Sequence, residues 1–403
     1  MDQPTITSLA VIASCAVVAP VLANLLRRTR IPAVVLELVL GIVIGQQVLG
    51  LAHVNTVVNA LSQLGLSFLM FLAGYEIDLQ RIKGRPIMLA TIGWLISVLL
   101  AILLAGYLVA TGFALNSLVF GLALTTTALG TLLPILRDED ILPTAFGTQV
   151  LSIGTLGEFG PIVAIGVLLT GKRPAIELAL LLVFVAIAVA AAFMATRAQP
   201  PGVVALLQKH LDSSSQLPVR IALLLVMLLI WLASTFGLDI LIGAFAAGVV
   251  IRLFTPPKDK KVISQKLEAI GFGFLIPIFF VVSGMNFDLN SLIASPTAAL
   301  RVPLFALVFL VVRGVPSLLL PRRQLPFSQR IPLAFFSATA LPLVVVITGI
   351  GVSSGRMRPE NAAALVGAGM LSVMLYPIIG LALAGRAGVT GASTTLVVDP
   401  ELH

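Results

Sequence analysis

The sequence predicts an all-α polytopic membrane protein of about thirteen transmembrane helices, built as two inverted-topology six-helix repeats with broken crossing helices. Composition is the first observation behind this prediction, because hydrophobic residues make up 59% of the 403 residues and charged residues only 10%. Soluble proteins carry about 25% charged residues. The second observation is that the apolar runs are long enough to span a bilayer and lack strand-like alternation. A helix is also one of the two structures that satisfy the backbone in lipid.

Thirteen apolar runs follow one another along the chain, separated by short loops that carry most of the Lys and Arg residues. They cover approximately 5–25, 31–51, 55–77, 87–111, 115–136, 144–171, 174–196, 218–236, 238–254, 264–286, 296–320, 328–352 and 360–385. The longest stretch between spans, about 197–217, contains a short segment, Val203–Leu211, that we expect to form an interfacial helix.

The distribution of basic residues predicts the orientation of the chain. With the N-terminus outside, the inner loops hold nineteen Lys and Arg residues and the outer loops five, and the twenty-fifth, Arg313, lies inside a span. Cytoplasmic loops of membrane proteins carry such an excess. We therefore expect an inner (plasma) membrane protein with its N-terminus outside and its C-terminus cytoplasmic.

Composition also limits the partners and cofactors. The net charge of +8 is explained by the inner loops, so it does not indicate binding to nucleic acid. The single cysteine excludes an intrachain disulfide, and the three histidines form no metal-ligand cluster. The sequence predicts no cofactor and no resident metal.

Short motifs that recur at a nearly constant offset indicate an internal repeat. The matching pairs begin at Thr127 and Thr339, at Gly74 and Gly284, and at Gly41 and Gly248, with offsets of 212, 210 and 207 residues. Spans one to six and eight to thirteen would then be two copies, with span seven as a linker. Because the linker is a single span, the second copy starts from the opposite side of the membrane, which gives the inverted repeat seen in many secondary transporters.

Spans five and twelve contain short polar clusters inside apolar helices. The first cluster includes Thr126 and Thr127 before Gly130, and the second places Thr339 shortly before Pro342. Interrupted helices at matching positions of two repeats point to the binding site of a transporter. We predict broken helices here; the alternative is that the threonines bond to their own helices and Pro342 only kinks one.

Span six carries one carboxylate, Glu158, near its middle, in a segment rich in glycine and followed by Pro161. A carboxylate at that depth is costly unless it is protonated, paired or facing water, so it is a candidate site by default. Pro161 removes one backbone donor and frees a carbonyl near the acid. The alternative is a protonated Glu158 that is hydrogen-bonded between helices without a further role.

Arg313 is the one Lys or Arg deep inside a predicted span. An arginine there requires a partner or a water-lined cavity. We predict that it compensates charge at the site, and a purely structural clamp is the alternative.

The chain resembles the Kef/Nap-type branch of the monovalent cation:proton antiporters across essentially all its spans. The resemblance is carried by Pro32, Glu37, Gly41 and Gly45, Phe71–Glu76, Thr127–Gly130, Glu158 with Gly160, Gly243–Gly248, Pro277–Gly284 and Arg313. In this family an aspartate matches Glu158, and Asp, Asn or Gln usually matches Gly157. A lysine usually matches Arg313.

The resemblance also implies a domain organisation and a homodimer. Scaffold or dimerisation helices would occupy 1–84 and 218–292, and core helices 85–172, with the ion site, and 293–388. A linker helix and loop would cover 173–217, and a cytoplasmic tail 389–403.

The predicted function is secondary-active exchange of Na⁺ or K⁺ for H⁺ by alternating access, with both ions competing for Glu158. Thr127, Gly157 and Thr155 complete the predicted ion-binding set. A Kef-like potassium efflux channel or transporter and a transport-dead sensor are the alternatives. An enzyme is disfavoured because no His or Cys lies at membrane depth with Glu158.

Overall fold

The computed structural model describes residues 2–25, 31–76, 82–168, 216–255, 259–293 and 296–389, together with isolated positions between 179 and 190. Within these residues the chain is helical, with turns between the helices and no strand. The helices are α1 (Gln3–Leu25), α2 (Ala33–Ile44), α3 (Thr56–Glu76), α4 (Arg85–Ala110), α5 (Ser117–Leu124), α6 (Leu129–Asp138), α7 (Ala145–Leu168), α8 (Leu217–Thr235), α9 (Ile240–Phe254), α10 (Lys260–Ile270), α11 (Ile276–Met285), α12 (Leu289–Ile293), α13 (Pro296–Phe309), α14 (Val315–Leu319), α15 (Phe327–Ala338), α16 (Pro342–Ser353) and α17 (Pro359–Arg386).

Two five-residue π-helical turns join consecutive helices without a break. One, Gly271–Leu275, links α10 to α11, and the other, Leu310–Gly314, links α13 to α14. Such turns are frequent at functional sites. The second of them carries Arg313.

The described helices confirm the all-helical membrane class. Nine helical stretches within the described residues are long and apolar enough to cross a membrane, three of them made of two consecutive helices, and three shorter apolar stretches cover Ala33–Ile44, Ser117–Leu133 and Ile240–Phe254. The count of thirteen stays a prediction. Most of the predicted seventh span, the interfacial segment Val203–Leu211 and the tail after residue 389 lie outside the described residues.

The chain divides into two compact units, each made of two separate stretches of sequence. Unit 1 contains Met1–Asp78 and Ile162–Ser291, and unit 2 contains Leu79–Pro161 and Leu292–His403.

Unit 1 is held together by helix pairs whose backbones touch at glycines. A Cβ added to Gly41 of α2 would lie 2.1 Å from the carbonyl oxygen of Val281, and one added to Gly284 of α11 would lie 2.1 Å from that of Leu38. The α3–α9 pair has the same character, because a Cβ on Gly248 would lie 2.0 Å from the Phe71 oxygen. Without a hydrophobic driving force in lipid, small residues stabilise such pairs by allowing close packing.

Unit 2 contains the helices that were predicted to carry the ion site. Aromatic rings pack edge to face through its interior, with ring centroids 5.9 Å apart for Phe146 and Phe336 and 5.3 Å for Phe120 and Phe305. Arg301 lies over the Phe113 ring at 4.5 Å and donates to the Asn361 side chain at 2.9 Å.

We expect Gly284→Ala to lower the melting temperature of the purified protein, because the added methyl group must push α2 and α11 apart. Overpacking of this kind costs about 1–3 kcal/mol. Gly349→Ala in α16 is the matched control, since nothing lies within 4 Å of its added Cβ. Thermal unfolding in detergent measures both variants, and equal melting temperatures would contradict the close-packing account.

Candidate ion-binding site

Two interrupted helices meet in unit 2. The chain leaves helical geometry between α5 and α6, at residues 125–128, and again between α15 and α16, at residues 339–341. The two breaks bond to each other, because the backbone N–H of Ala128 donates to the Thr339 carbonyl at 2.7 Å. The Thr127 hydroxyl donates to the Ser337 carbonyl at 2.6 Å. These bonds tie the predicted broken helices together at their breaks.

Hydroxyl groups satisfy part of the backbone that the breaks expose. Thr125 and Thr126 donate to carbonyls three residues earlier in α5, at 2.9 and 3.0 Å. In the other break, the Ser372 hydroxyl lies 3.0 Å from the amide nitrogen and 2.9 Å from the carbonyl oxygen of Ala340. Short polar side chains that compete for backbone bonds favour a break over a continuous helix.

The residues predicted to break the helices hold different positions. Thr126 and Thr339 lie in the breaks, whereas Pro342 is the first residue of α16, where its missing N–H costs nothing. Gly130 is the second residue of α6, and a Cβ there would meet no atom within 4 Å. The first break therefore depends on residues 125–128 rather than on Gly130.

Arg313 is 2% exposed and projects from the π-helical turn between α13 and α14. Pro316, one residue into α14, cannot supply the N–H that a regular helix would bring to the Val312 carbonyl. The Ser97 hydroxyl of α4 donates to that carbonyl at 2.8 Å. The Ser337 hydroxyl, next to the second break, donates to the Arg313 carbonyl at 3.1 Å.

The Arg313 guanidinium is bonded to three other elements. Its Nε and Nη2 donate to the Thr127 hydroxyl oxygen at 3.0 and 2.8 Å, Nη2 also donates to the Ile153 carbonyl at 3.2 Å, and Nη1 lies 3.4 Å from the Ser97 hydroxyl. A hydroxyl has one donor and two acceptor lone pairs. Thr127 uses all three, two for Arg313 and one for Ser337, so its oxygen has no lone pair left for a cation in this arrangement.

Gly157 packs against the bonded pair of Arg313 and Thr127, which we call the clamp. A Cβ at this position would be 2.5 Å from both Arg313 Nη2 and the Thr127 hydroxyl oxygen. The guanidinium therefore occupies the place where a larger residue at 157 would put its side chain. The Gly157 carbonyl accepts the Thr127 backbone N–H at 3.0 Å. Pro161, four residues later, lacks the N–H that would otherwise use this carbonyl, as the sequence predicts.

Glu158 follows Gly157 in α7 and is only 4% exposed. Thr155, one turn earlier in the same helix, is 8% exposed. The structure thus places Glu158, Gly157, Thr127 and Arg313 in one part of unit 2. The roles of Glu158 and Thr155 in ion binding stay predictions.

Sequence reasoning missed three groups that hold Arg313 in place, namely Ser97, the Ile153 carbonyl and the Ser337 hydroxyl. Ser97 is fully buried in α4, and its only sequence signal is a lone serine in an apolar helix. A backbone carbonyl such as that of Ile153 leaves no signal in the sequence at all.

Comparison of the sequence with known protein families identifies the family of the chain. Residues 12–383 match the family described as sodium/hydrogen exchanger, transmembrane. The chain belongs to this family. Its membership confirms the monovalent cation:proton antiporter superfamily that the sequence motifs predicted.

Individual relatives agree over most of the chain. YjbQ of Bacillus subtilis (strain 168), which carries a Na⁺/H⁺ antiporter name, is 28% identical over 397 residues, or 94% of this chain. The chain spans 63% of that relative's length. A Na⁺/H⁺ antiporter of Enterococcus hirae is 26% identical over 363 residues, which cover 88% of this chain and 92% of the relative.

The solved structure of the sodium proton antiporter MjNhaP1 from Methanocaldococcus jannaschii has the same fold. It superposes with a TM-score of 0.70 at 17% sequence identity and covers 96% of this chain and 99% of its own. The family member described here is therefore a membrane protein with an antiporter fold.

We expect Gly157→Ala to destabilise the protein, because the added methyl group must displace either the Arg313 guanidinium or Thr127. The expected loss is about 1–3 kcal/mol, in the range of overpacked buried sites. Gly130→Ala is the control, because this glycine near the start of α6 has free space around it, and the change should be neutral or slightly stabilising. Melting temperatures in detergent that fall equally for the two variants would argue against the clamp.

Proposed function

We propose that this chain exchanges a monovalent cation, Na⁺ or K⁺, for H⁺ by alternating access, and that the two ions compete for Glu158. The observation that carries the proposal is the position of Glu158, a buried carboxylate in a membrane helix, one residue from the junction of two broken helices. The Na⁺/H⁺ antiporter names of the relatives support the same activity.

Competition at one carboxylate is sufficient to couple the two fluxes. An ionised Glu158 offers oxygen ligands to a hard alkali cation, and a protonated Glu158 has lost the negative charge that attracts it. If only the occupied forms expose the site alternately to the two sides, cation movement in one direction requires proton movement in the other.

Arg313 supplies a fixed positive charge in this scheme. Arginine does not deprotonate in proteins, so its charge persists through the cycle. A nearby positive charge lowers the cost of an ionised carboxylate inside the membrane. In the arrangement described, Thr127 orients this guanidinium, and a role for Thr127 as direct ligand would require Arg313 to release it.

The finer features of the assembly belong to the same proposal. The excess of basic residues in alternate loops supports a plasma-membrane protein with its N-terminus outside. The resemblance to the Kef/Nap branch supports a homodimer in which helices of 1–84 and 218–292 form the scaffold. The remaining long stretches, 85–172 and 293–388, would then move as the core.

We expect Glu158→Gln to abolish cation-dependent proton movement in proteoliposomes while the protein stays folded, because an amide neither takes up the transported proton nor carries the negative charge that attracts the cation. The assay follows a pH-sensitive dye after separate additions of Na⁺, K⁺ and Li⁺. Glu360→Gln is the matched control, the same change in the first turn of α17 in unit 2. Cation-dependent proton flux retained by Glu158→Gln would remove Glu158 from the mechanism.

We also expect exchange to be electroneutral, with one cation moved for each proton. Glu158 holds one proton or one monovalent cation, and Gly157 offers no second carboxylate beside it. Arg313 keeps its proton, so it cannot add a second transported charge.

The measurement is the rate of Na⁺-driven proton movement with valinomycin and fixed K⁺ setting the membrane potential. Equal rates at different imposed potentials are expected. A rate that rises steeply with potential, or a transient current that scales with turnover on solid-supported membranes, would refute neutrality.

A further inference from the structure

The connection between α14 and α15 joins two candidate membrane spans of unit 2, Ala299–Leu319 and Phe327–Ser353. A short connection between two spans lies where the hydrocarbon of the membrane gives way to headgroups and water. We call residues 320–330, which are this connection and the first turn of α15, the arginine loop. It contains three arginines, Arg322, Arg323 and Arg330. The proposed transport scheme uses none of them.

The arginine loop is anchored to the interior of unit 2. The Pro321 carbonyl accepts the backbone N–H groups of Gln324 and Leu325 at 3.2 and 2.9 Å, which closes a tight turn. The Leu325 side chain is 3% exposed and packs in a hydrophobic core cluster of this unit. Arg322 and Arg323, between these anchored residues, are both exposed. Their guanidinium groups are therefore available to another molecule on a fixed backbone.

The third arginine is held against an aromatic ring. Arg330 Nη1 donates to the Leu318 carbonyl, near the end of α14, at 2.9 Å, and its Cζ lies 5.0 Å from the centroid of the Phe327 ring. Phe327 begins α15 and is 62% exposed. Aromatic side chains are enriched at the membrane–water interface, where the ring meets acyl chains beside the headgroups. The loop thus presents an apolar surface next to its charges.

The charge of the arginine loop selects an anion. Three arginines and no acid give the loop a net charge of +3, and no Asp or Glu occurs in the sequence between Asp288 and Glu360. Acids at the end of α6, at 138–140, follow Arg137 instead. A guanidinium can bind two phosphate oxygens with parallel N–H bonds, whereas a lysine ammonium acts as a point charge. Every basic residue between Asp288 and Glu360 is an arginine, which favours a phosphate group as the ligand.

An exposed apolar stripe runs along the helix that leads into the loop. Val311, Val315 and Leu319 are 48%, 36% and 49% exposed and follow one another at intervals of four residues. The Val315 N–H donates to the Val311 carbonyl, so the first two lie one turn apart. An acyl chain that lies along this stripe brings its headgroup to the level of the arginines.

We propose that the arginine loop binds an anionic phospholipid, with the phosphate at Arg322 and Arg323 and an acyl chain along Phe327 and the α14 stripe. A soluble phosphate compound matches only the charged half of this surface, which is why the proposal commits to a lipid. The site lies in unit 2, and its existence does not depend on the proposed exchange activity.

A fluorescent label beside the loop gives a local test. Cys15 is the single cysteine and is buried, so Cys15→Ala combined with Ser328→Cys offers one reactive thiol, at an exposed position of the loop. The labelled full chain is placed in phosphatidylcholine nanodiscs with a small fraction of lipid that carries a quenching doxyl group. We expect doxyl-phosphatidylglycerol to quench the label more strongly than zwitterionic doxyl-phosphatidylcholine. Equal quenching by the two lipids would overturn the proposal.

A matched pair of variants separates local binding from net charge. Arg322→Gln/Arg323→Gln should lower the preference for phosphatidylglycerol at least about fivefold, which is the contribution of one arginine near an anionic surface. Arg356→Gln/Arg358→Gln removes the same charge between α16 and α17 and should leave the preference unchanged. An equal loss in both variants would overturn the proposal. Arg323→Gln alone, with a smaller expected loss, gives the reading if the first double variant does not fold.

A soluble competitor distinguishes a lipid from a free phosphate compound. Excess glycerol phosphate should leave the preference for doxyl-phosphatidylglycerol intact, because it lacks the acyl chains that contact Phe327 and the α14 stripe. If glycerol phosphate abolishes the preference, the surface binds soluble phosphates and the lipid proposal is wrong.

Discussion

A guanidinium inside a membrane domain must find acceptors within the protein, and Arg313 finds them on three separate segments: one helix break and two helices. Thr127 in the first break accepts two of its N–H groups, α7 offers the Ile153 carbonyl, and α4 offers Ser97. Because these partners belong to separate stretches of chain, the charge can be satisfied only when the helices around it have assembled. The arginine is therefore a costly group that also ties the helices around it together.

Two prolines each leave a backbone carbonyl available to another segment of unit 2. Pro161 in α7 leaves the Gly157 carbonyl for the Thr127 backbone N–H, and Pro316 in α14 is one turn from the Val312 carbonyl that Ser97 uses. In each case a helix that spans the membrane gives up a bond within itself and bonds to a neighbour instead. Lipid offers no competing hydrogen-bond donors, so the carbonyl that the proline leaves free bonds to a neighbouring segment of the protein.

Unit 1 is stabilised in a different way. Its helix pairs approach through glycines such as Gly41 and Gly284, and its close contacts join backbone to backbone. Unit 2 relies on polar side chains that bridge broken helices. The buried polar groups that fit the proposed transport cycle are concentrated in the second kind of unit. The division into a scaffold and an ion-binding core stays part of the proposed function.

The sequence alone determined the membrane class, the family and the candidate residues, because each leaves a local signal. Apolar runs of fixed length report bilayer spans, and a single acid or arginine inside such a run is conspicuous. The two threonine-containing breaks were also predictable, since small polar residues with Gly or Pro interrupt a helix by local chemistry.

The tertiary structure decided which groups meet. It assigned Thr127 to the guanidinium, kept Thr126 in the first break but placed Gly130 in α6, and brought Ser97 and the Ile153 carbonyl to the charge. It also showed why position 157 is a glycine, because the space for its Cβ is taken by an arginine 156 residues away. Such contacts depend on how distant helices pack, and packing between helices has no period or spacing that a sequence displays.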